Sequence, residues 1–260
     1  NIASNGGGVY GDSNLIFENV EIMNNDATGN FGGGIYFPGG APVFINSKIS
    51  YNSVSGNGGG IALSDSDPSF TNVIISNNTA DEGGGLYCVL YSDPILNNVT
   101  IANNSAYEAS SLFSKLDANI ILVNSIIYSN LSSHIIKNTG GSISITYSNI
   151  SGAYTGSGNI DVDPLFVDTA NGDYSLSNFS QCIGAATITG APTSDILGNP
   201  RPNPAGSNPD MGAYENALAL PDVLGCTDST ATNYNASANI SDSSCTYCYA
   251  TADIGADTIS

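Results

Sequence analysis

Apolar side chains recur along this chain at a fixed step of about 26 residues, separated by short runs in which apolar and polar positions alternate. One column is Phe17, Phe44, Phe70, Leu96 and Leu122; a second is Ile22, Ile49, Ile75, Ile101 and Ile127. The stretch Phe70-Thr71-Asn72-Val73-Ile74-Ile75 and its counterparts are rich in β-branched residues and read as strands, and no segment carries a helical amphipathic run. Gly triplets keep the same step, at Gly6-Gly7-Gly8-Val9, Gly32-Gly33-Gly34-Ile35, Gly58-Gly59-Gly60-Ile61 and Gly83-Gly84-Gly85-Leu86, with intervals of 26, 26 and 25 residues. Pro42, Pro68 and Pro94 follow it too. A fixed period of this length marks a stack of equivalent units. The pattern predicts coils of about three short strands, each pairing in parallel with the next at ~4.8 Å. The Phe and Ile columns then become continuous interior ribs, and each buried member contributes roughly 1.5–3 kcal/mol relative to exposure.

Two polar columns run in the same register. Asn25, Asn52, Asn78, Asn104 and Asn130 form one, and Asn19, Asn46, Asn72, Asn98 and Asn124 lie six residues earlier. Asn tolerates left-handed backbone at a sharp turn, and its amide can donate to one neighbour while accepting from another. The columns therefore read as structural ladders that set register, in preference to a binding face. The triplets predict positive-φ turns and close backbone approach, or alternatively a flat face open to a ligand or neighbouring chain. In the fifth coil Ala109-Ser110-Ser111 replaces the triplet while the Asn and Ile columns continue.

Composition narrows the function classes. The 260 residues are 41% apolar, and no run approaches the ~18 apolar residues of a spanning helix, so the chain reads as soluble. It begins without Met or a signal-peptide pattern and reads as a mature or excised piece. Twenty-three acidic residues against four basic ones, Lys48, Lys115, Lys137 and Arg201, give a net charge of −19. That charge repels phosphate backbones and anionic lipid, which excludes nucleic acid and direct membrane insertion, and it favours divalent cations as bridges.

Beyond the fifth coil the chain changes to Tyr147-Ser148-Asn149-Ile150-Ser151-Gly152 and Gly158-Asn159-Ile160-Asp161-Val162-Asp163-Pro164-Leu165-Phe166. It continues through Asp173-Tyr174-Ser175-Leu176 to Leu197-Gly198-Asn199-Pro200-Arg201 and Asp210-Met211-Gly212-Ala213-Tyr214-Glu215. This series resembles bacterial secreted right-handed parallel β-helix proteins of the choice-of-anchor Q type, over residues 1 to about 216. The Gly-Gly-Gly-Ile-Tyr coils also resemble those of polymorphic outer-membrane adhesins. The resemblance implies an all-β fold: a right-handed parallel β-helix over residues 1–150, then a final coil and C-terminal cap over 151–216. A bare solenoid end exposes apolar ribs and strand edges, so a polar cap is expected to cover it. Arg201, the single Arg, shares that segment with Asp195, Asp210 and Glu215 and is expected to form a buried ion pair with Asp210 or Glu215.

After a linker at 217–225, the run Gly225-Cys226-Thr227-Asp228 to Ser244-Cys245-Thr246-Tyr247 resembles small Cys-containing repeats of very large Bacteroidota surface proteins. Those repeats often carry a further Cys where this chain has Thr232. A module this short has almost no core and needs a crosslink. Cys226 with Cys245 is the preferred pair within residues 226–247, and Cys248 with Cys226 is the alternative. Residues 248–260 read as a linker or the start of a further module. Cys88 and Cys182 read as small buried hydrophobes.

Candidate chemistry is sparse. Lys48, Lys115 and Lys137 fall in different registers, and the single histidine, His134, reads as a solvated turn residue. Asp67 and Asp93 stack, each preceding Pro, which fits either cation bridging or Asp-Pro turn chemistry. Hard oxygen ligands at short irregular spacing suit Ca²⁺. The candidate sets are Asp228, Asn233, Asn235 and Asp242 in the Cys module, and Asp161, Asp163, Asp168 and Asp173 in the cap, with turn capping as the competing role. The expected function is a non-catalytic extracellular structural or adhesive module of a large surface protein. Its expected partners are copies of itself, other domains of that protein, or cell-surface glycans. The competing reading is a Ca²⁺-dependent polysaccharide lyase or hydrolase working through Lys48 or a turn carboxylate.

Overall fold

A computed structural model of the chain describes residues 1–129 and 135–248. It divides into two compact units, Asn1–Pro221 and Asp222–Ser260. Asn130, the fifth member of the inner Asn column, and His134 lie outside the described residues, as do positions 249–260.

The first unit is a parallel β-solenoid. Counting coils from their triplets, each full coil carries four short strands rather than three. The second coil and the start of the third run Val43–Ile45, Lys48–Ser50, Ser53–Val54 and Ile61–Ser64. The extra strand comes from two left-handed corners close together, Asn46 at φ 49° and Tyr51 at φ 56°, which cut one expected strand into shorter ones. Stacking then builds four parallel sheets. The first sheet contains Ile16–Glu18, Val43–Ile45, Ser69–Thr71, Ile95–Asn97, Ala118–Val123 and Gly141–Thr146. The second contains Glu21–Met23, Lys48–Ser50, Ile74–Ser76, Thr100–Ala102, Ile126–Tyr128 and Asn149–Ile150. The third runs from Ile2–Ala3 to Ser105–Glu108, and the fourth from Val9–Tyr10 to Ile136–Asn138.

The ribs fill the interior. Phe17 stacks on Phe44 at 4.6 Å between ring centroids and Phe44 on Phe70 at 5.0 Å, and Leu96, Leu122 and Ile145 extend the column. Ile49, Ile75, Ile101 and Ile127 are fully buried beside it.

The two Asn columns divide the work. Asn19, Asn46, Asn72, Asn98 and Asn124 take left-handed φ of 49–54° at the corner between the first and second sheets. At the next corner the left-handed residue is the one before the ladder, Asn24, Tyr51, Asn77 or Asn103. This frees Asn25, Asn52, Asn78 and Asn104 to turn their amides inward. Asn52 Nδ2 donates to Asn78 Oδ1 at 3.0 Å and Asn78 Nδ2 to Asn104 Oδ1 at 2.9 Å. Each accepting oxygen also takes the backbone N–H of the preceding ladder Asn, and the second amide hydrogen goes to an Ile carbonyl such as Ile49. Every polar atom of these buried amides is thus matched.

The triplets belong to this interior and are not a ligand-facing surface. Their first glycine has φ of 61–74°, and the following two are buried in coils two to four. A Cβ on Gly60 would sit 2.7 Å from Gly85 O and 2.9 Å from Asn78 Nδ2, so the third glycine is where the ladder amide and the next coil close in. Ser110 and Ser111 occupy these places in coil five and bury hydroxyls without a partner.

Residues 151–162 cover the open end. Tyr154 packs on the core and its hydroxyl donates to Ile143 O, while Ile150 N donates to Ile160 O. The segment 163–216 lies elsewhere than the expected end cap: it folds back as a strap along the outer face of the second sheet. The reason is in that face, where Ile74, Ala102 and Ile126 point outward and need cover. Tyr174, Ile196, Ala213 and Tyr214 supply it over Ile74 and Ala102, and Leu176, Cys182, Ile183 and Met211 supply it over Ile126.

In the second unit Leu224–Gly225 pairs in parallel with Ile240–Ser241, and a disulfide joins Cys226 to Cys245. Gly225, Cys226 and Ala231 are its only buried residues among those described, so the crosslink does what a core cannot.

Candidate functional site

The second sheet is covered in coils three to six and open in coils one and two, and a groove forms where the strap stops. Strands place Glu21, Met23, Lys48 and Ser50 on its floor, with Ile74 and Ser76 at the covered end. The left-handed corner adds Tyr51, and the turn Thr169–Asn171 with Gly172 forms the strap side. Lys48 Nζ lies 3.8 Å from Glu21 Oε1 one coil below, and Ser50 Oγ lies 3.0 Å from Ser76 Oγ. The groove can offer a cation, a carboxylate and hydroxyls to a polar ligand.

The strap is fastened through the outer Asn column. Asn72 Nδ2 donates to Ser194 O at 2.8 Å, Asn98 Nδ2 to Asp210 O at 3.0 Å, and Asn124 Nδ2 to Thr187 O at 2.9 Å. Asn77 Nδ2 donates to the Tyr174 hydroxyl at 3.0 Å. At the centre Arg201 Nε donates to Glu215 Oε2 at 2.7 Å, with both side chains fully buried, and Arg201 Nη1 donates to Asn72 Oδ1 at 2.8 Å. Asp210 accepts the backbone N–H groups of Gly184 and Asn216, and Asp195 accepts those of Leu197, Asn199 and Glu215. Burial first, and the Glu215 charge second, push the Asp210 carboxyl up to about 7. Among the described carboxylates the guanidinium thus pairs with Glu215 alone, while Asp195 and Asp210 are held by backbone N–H groups.

The side chains considered for calcium are engaged by local donors. Asp161, Asp163 and Asp173 each accept a backbone N–H, from Gly152, Leu165 and Ser175 respectively, and Asp168 caps the Thr169–Asn171 turn. In the second unit Asp228 accepts Thr230 N and the Tyr247 hydroxyl, Asn235 accepts Ser237 N, and Asp242 accepts Ser244 N. Asn233 staples the module by donating to Ser244 O at 2.7 Å and accepting Thr246 N at 2.8 Å. Local donors hold the Asp168, Asp228 and Asp242 carboxyls below the usual range. Among the described residues no three His, Cys, Asp or Glu side chains gather in a metal-holding group.

The Asp67–Asp93 stack is turn chemistry. Asp67 Oδ1 accepts Asp93 N at 2.9 Å, and Asp93 Oδ1 accepts Asn119 N at 3.1 Å, so the side chains cap the backbone of successive coils. Cys88 and Cys182 are buried and free, with thiols pushed up by burial, Cys182 to about 12, and Cys248 is exposed.

A family model described as the right handed beta helix region matches residues 1–159. The chain belongs to that family. The match to this β-helix ends where the last coil is covered, so it takes in the solenoid and leaves the strap and second unit outside. The searches of curated proteins and of solved structures returned no match for this β-helix. The strap and the open groove beside it do not follow from the 26-residue period. The outer Asn column was the signal: Gly would serve its corners equally well, and the persistence of an amide there corresponds to strap contacts at Asn72, Asn98 and Asn124. Glu21 and Lys48, 27 residues apart, were a register pair in plain sight.

Proposed function

We propose that this β-helix is a non-catalytic structural and adhesive module on the outside of a bacterial cell, part of a larger secreted surface protein. Copies of itself in an appendage, other domains of that protein, or surface glycans are its partners. The observation that carries this reading is the employment of the basic side chains. Lys48, Lys115, Lys137 and Arg201 are paired with Glu21, Glu82, Glu108 and Glu215, each neutralising a carboxylate of the coil stack or of the strap. Lys115 and Lys137 also lie over the Phe113 ring, at 5.8 and 5.5 Å from its centroid. The cations serve the stack. The choice-of-anchor Q likeness of the strap and the Cys-repeat likeness of the second unit support a surface protein of modular build.

The groove at Lys48 favours a second reading, a polysaccharide lyase or hydrolase, with calcium as the ion such an enzyme would recruit. Incubation with uronate-containing and neutral polysaccharides separates the two. Unchanged substrate and retention on immobilised glycan or on a second copy support the module. Unsaturated or shortened products, lost on Lys48→Ala, would sink it.

A further inference from the structure

At one corner of the solenoid two successive coils place large apolar side chains in left-handed backbone. Left-handed corners of the coils are mostly filled by Asn or Asp, the residues that tolerate that conformation. Between the fourth and first sheets, coil three follows this rule with Asp65, yet coil four has Leu90 and Tyr91 at φ 53° and 61°, and coil five has Leu116 at φ 53° before Asp117 at φ 63°. The strained backbone does not serve to bury these side chains, because Leu90 is 44%, Tyr91 64% and Leu116 49% exposed. The two successive coils share the corner, with Tyr91 N donating to Leu116 O. On the adjoining first sheet Ile95 and Ile121 pair in register and each is 48% exposed. Backbone strain and apolar exposure coincide here.

Charge decides what fits. Exposed Asp65, Asp67, Asp93 and Asp117 stand among these apolar side chains, and the nearest cation in sequence, Lys115, is directed to Glu82 at 3.9 Å. A second copy is a poor occupant, since it brings the same Asp side chains, and its own four cations are paired with Glu. We propose that this corner of coils four and five is the adhesive contact of the module, and that it takes a protein segment in which apolar side chains are flanked by Lys or Arg. The apolar side chains cover Leu90, Tyr91, Leu116, Ile95 and Ile121, while the cations meet the Asp row. This rests on the adhesive reading, and the two fail separately: polysaccharide breakdown overturns that reading, and the peptide experiment below bears on the corner alone.

The test uses the full chain and two synthetic peptides, one alternating Leu with Lys and one alternating Leu with Glu, followed by calorimetry and by amide shifts. The Leu–Lys peptide is expected to bind and to shift residues 90–95 and 116–121, whereas the Leu–Glu peptide does not bind. Tyr91→Asn with Leu116→Asn relaxes the corner, so the melting temperature holds or rises while affinity for the Leu–Lys peptide falls at least tenfold. Asp93→Asn lowers affinity and flattens its salt dependence. Equal binding of the double variant, binding of the Leu–Glu peptide, or self-association of the native chain that the double variant abolishes would each overturn the proposal.

Discussion

Arg201 and Glu215 form a fully buried ion pair at 2.7 Å, 14 residues apart in the strap and pinned to the solenoid through Asn72. Such a pair is weak as a net source of stability, but removing one partner strands the other in a medium that cannot solvate it. Here the stranded group would be Glu215, with Asp210 and Asp195 close by. Arg201→Met is therefore expected to cost about 3–5 kcal/mol in denaturant unfolding. Arg201→Met with Glu215→Met should cost less than the two single changes added together. A loss below about 1 kcal/mol for Arg201→Met would show that the strap is held by its apolar contacts alone.

Asp210 sets a pH window. Its carboxyl titrates at about 7 when folded and near the ordinary value of 3.8 when unfolded, so between those values the folded chain holds a proton that the unfolded chain releases. Stability falls with pH wherever the native state binds more protons. The Asp210 contribution is thus fully favourable below about 4, declines from there to about 7, and is level above. Asp168, Asp228 and Asp242, whose carboxyls are held low, act in the opposite sense and only as pH falls below their ordinary range. Melting temperatures of the native chain are expected to decrease from pH 4.5 to 7, and Asp210→Asn should flatten that slope. An unchanged slope in Asp210→Asn would assign the dependence to another group.

The solenoid was legible because its information is periodic: Phe44 over Phe70 and Asn52 over Asn78 follow from a 26-residue step and the strand spacing alone. The four-strand coil was less so, because Tyr51 occupies a left-handed corner where Asn77 and Asn103 stand in later coils. The strap was illegible for a different reason. Its contacts, such as Asn98 with Asp210 and Thr100 with Ala213, join positions more than 110 residues apart and repeat only through the solenoid's half. Outward Ile74 and Ile126 read in sequence as ordinary strand residues, and only the strap packed on them sets them apart.

The inner and outer Asn columns should separate by mutation. Asn78→Ala removes the acceptor for both the backbone and the amide N–H of Asn52 and the donor to Ile49 O, and is expected to cost about 2–4 kcal/mol. Asn19→Gly keeps a left-handed corner that is exposed, and should stay within about 0.5 kcal/mol. Asn72→Gly keeps the same corner but loses Ser194 and Arg201, and should fall between them. Unfolding free energies of the three variants in one denaturant series check the order.

Reduction of the Cys226–Cys245 disulfide should act on the second unit alone. Closing a loop of this size is worth about 3 kcal/mol, which a module with three buried residues among those described cannot replace. Under a thiol reductant, amide dispersion over residues 224–246 is expected to collapse while the resonances of Ile35–Phe37 stay in place. Retained dispersion in the second unit would show that its Asn233 staple suffices.

The triplet and its coil-five substitute make opposite forecasts for small changes at equivalent sites. Gly60→Ala drives a methyl to within 2.7 Å of Gly85 O and 2.9 Å of Asn78 Nδ2, so a coil or the ladder must shift. The cost is expected to be about 2–3 kcal/mol, the range for overpacking a dense interior. At Ser111 the Cβ is already accommodated, and the hydroxyl is buried with no partner. Ser111→Ala removes an unsatisfied polar group and is expected to gain about 1 kcal/mol. Thermal unfolding of the two variants beside the native chain reads both signs, and a loss at Ser111→Ala would mean that its hydroxyl is satisfied by water in solution.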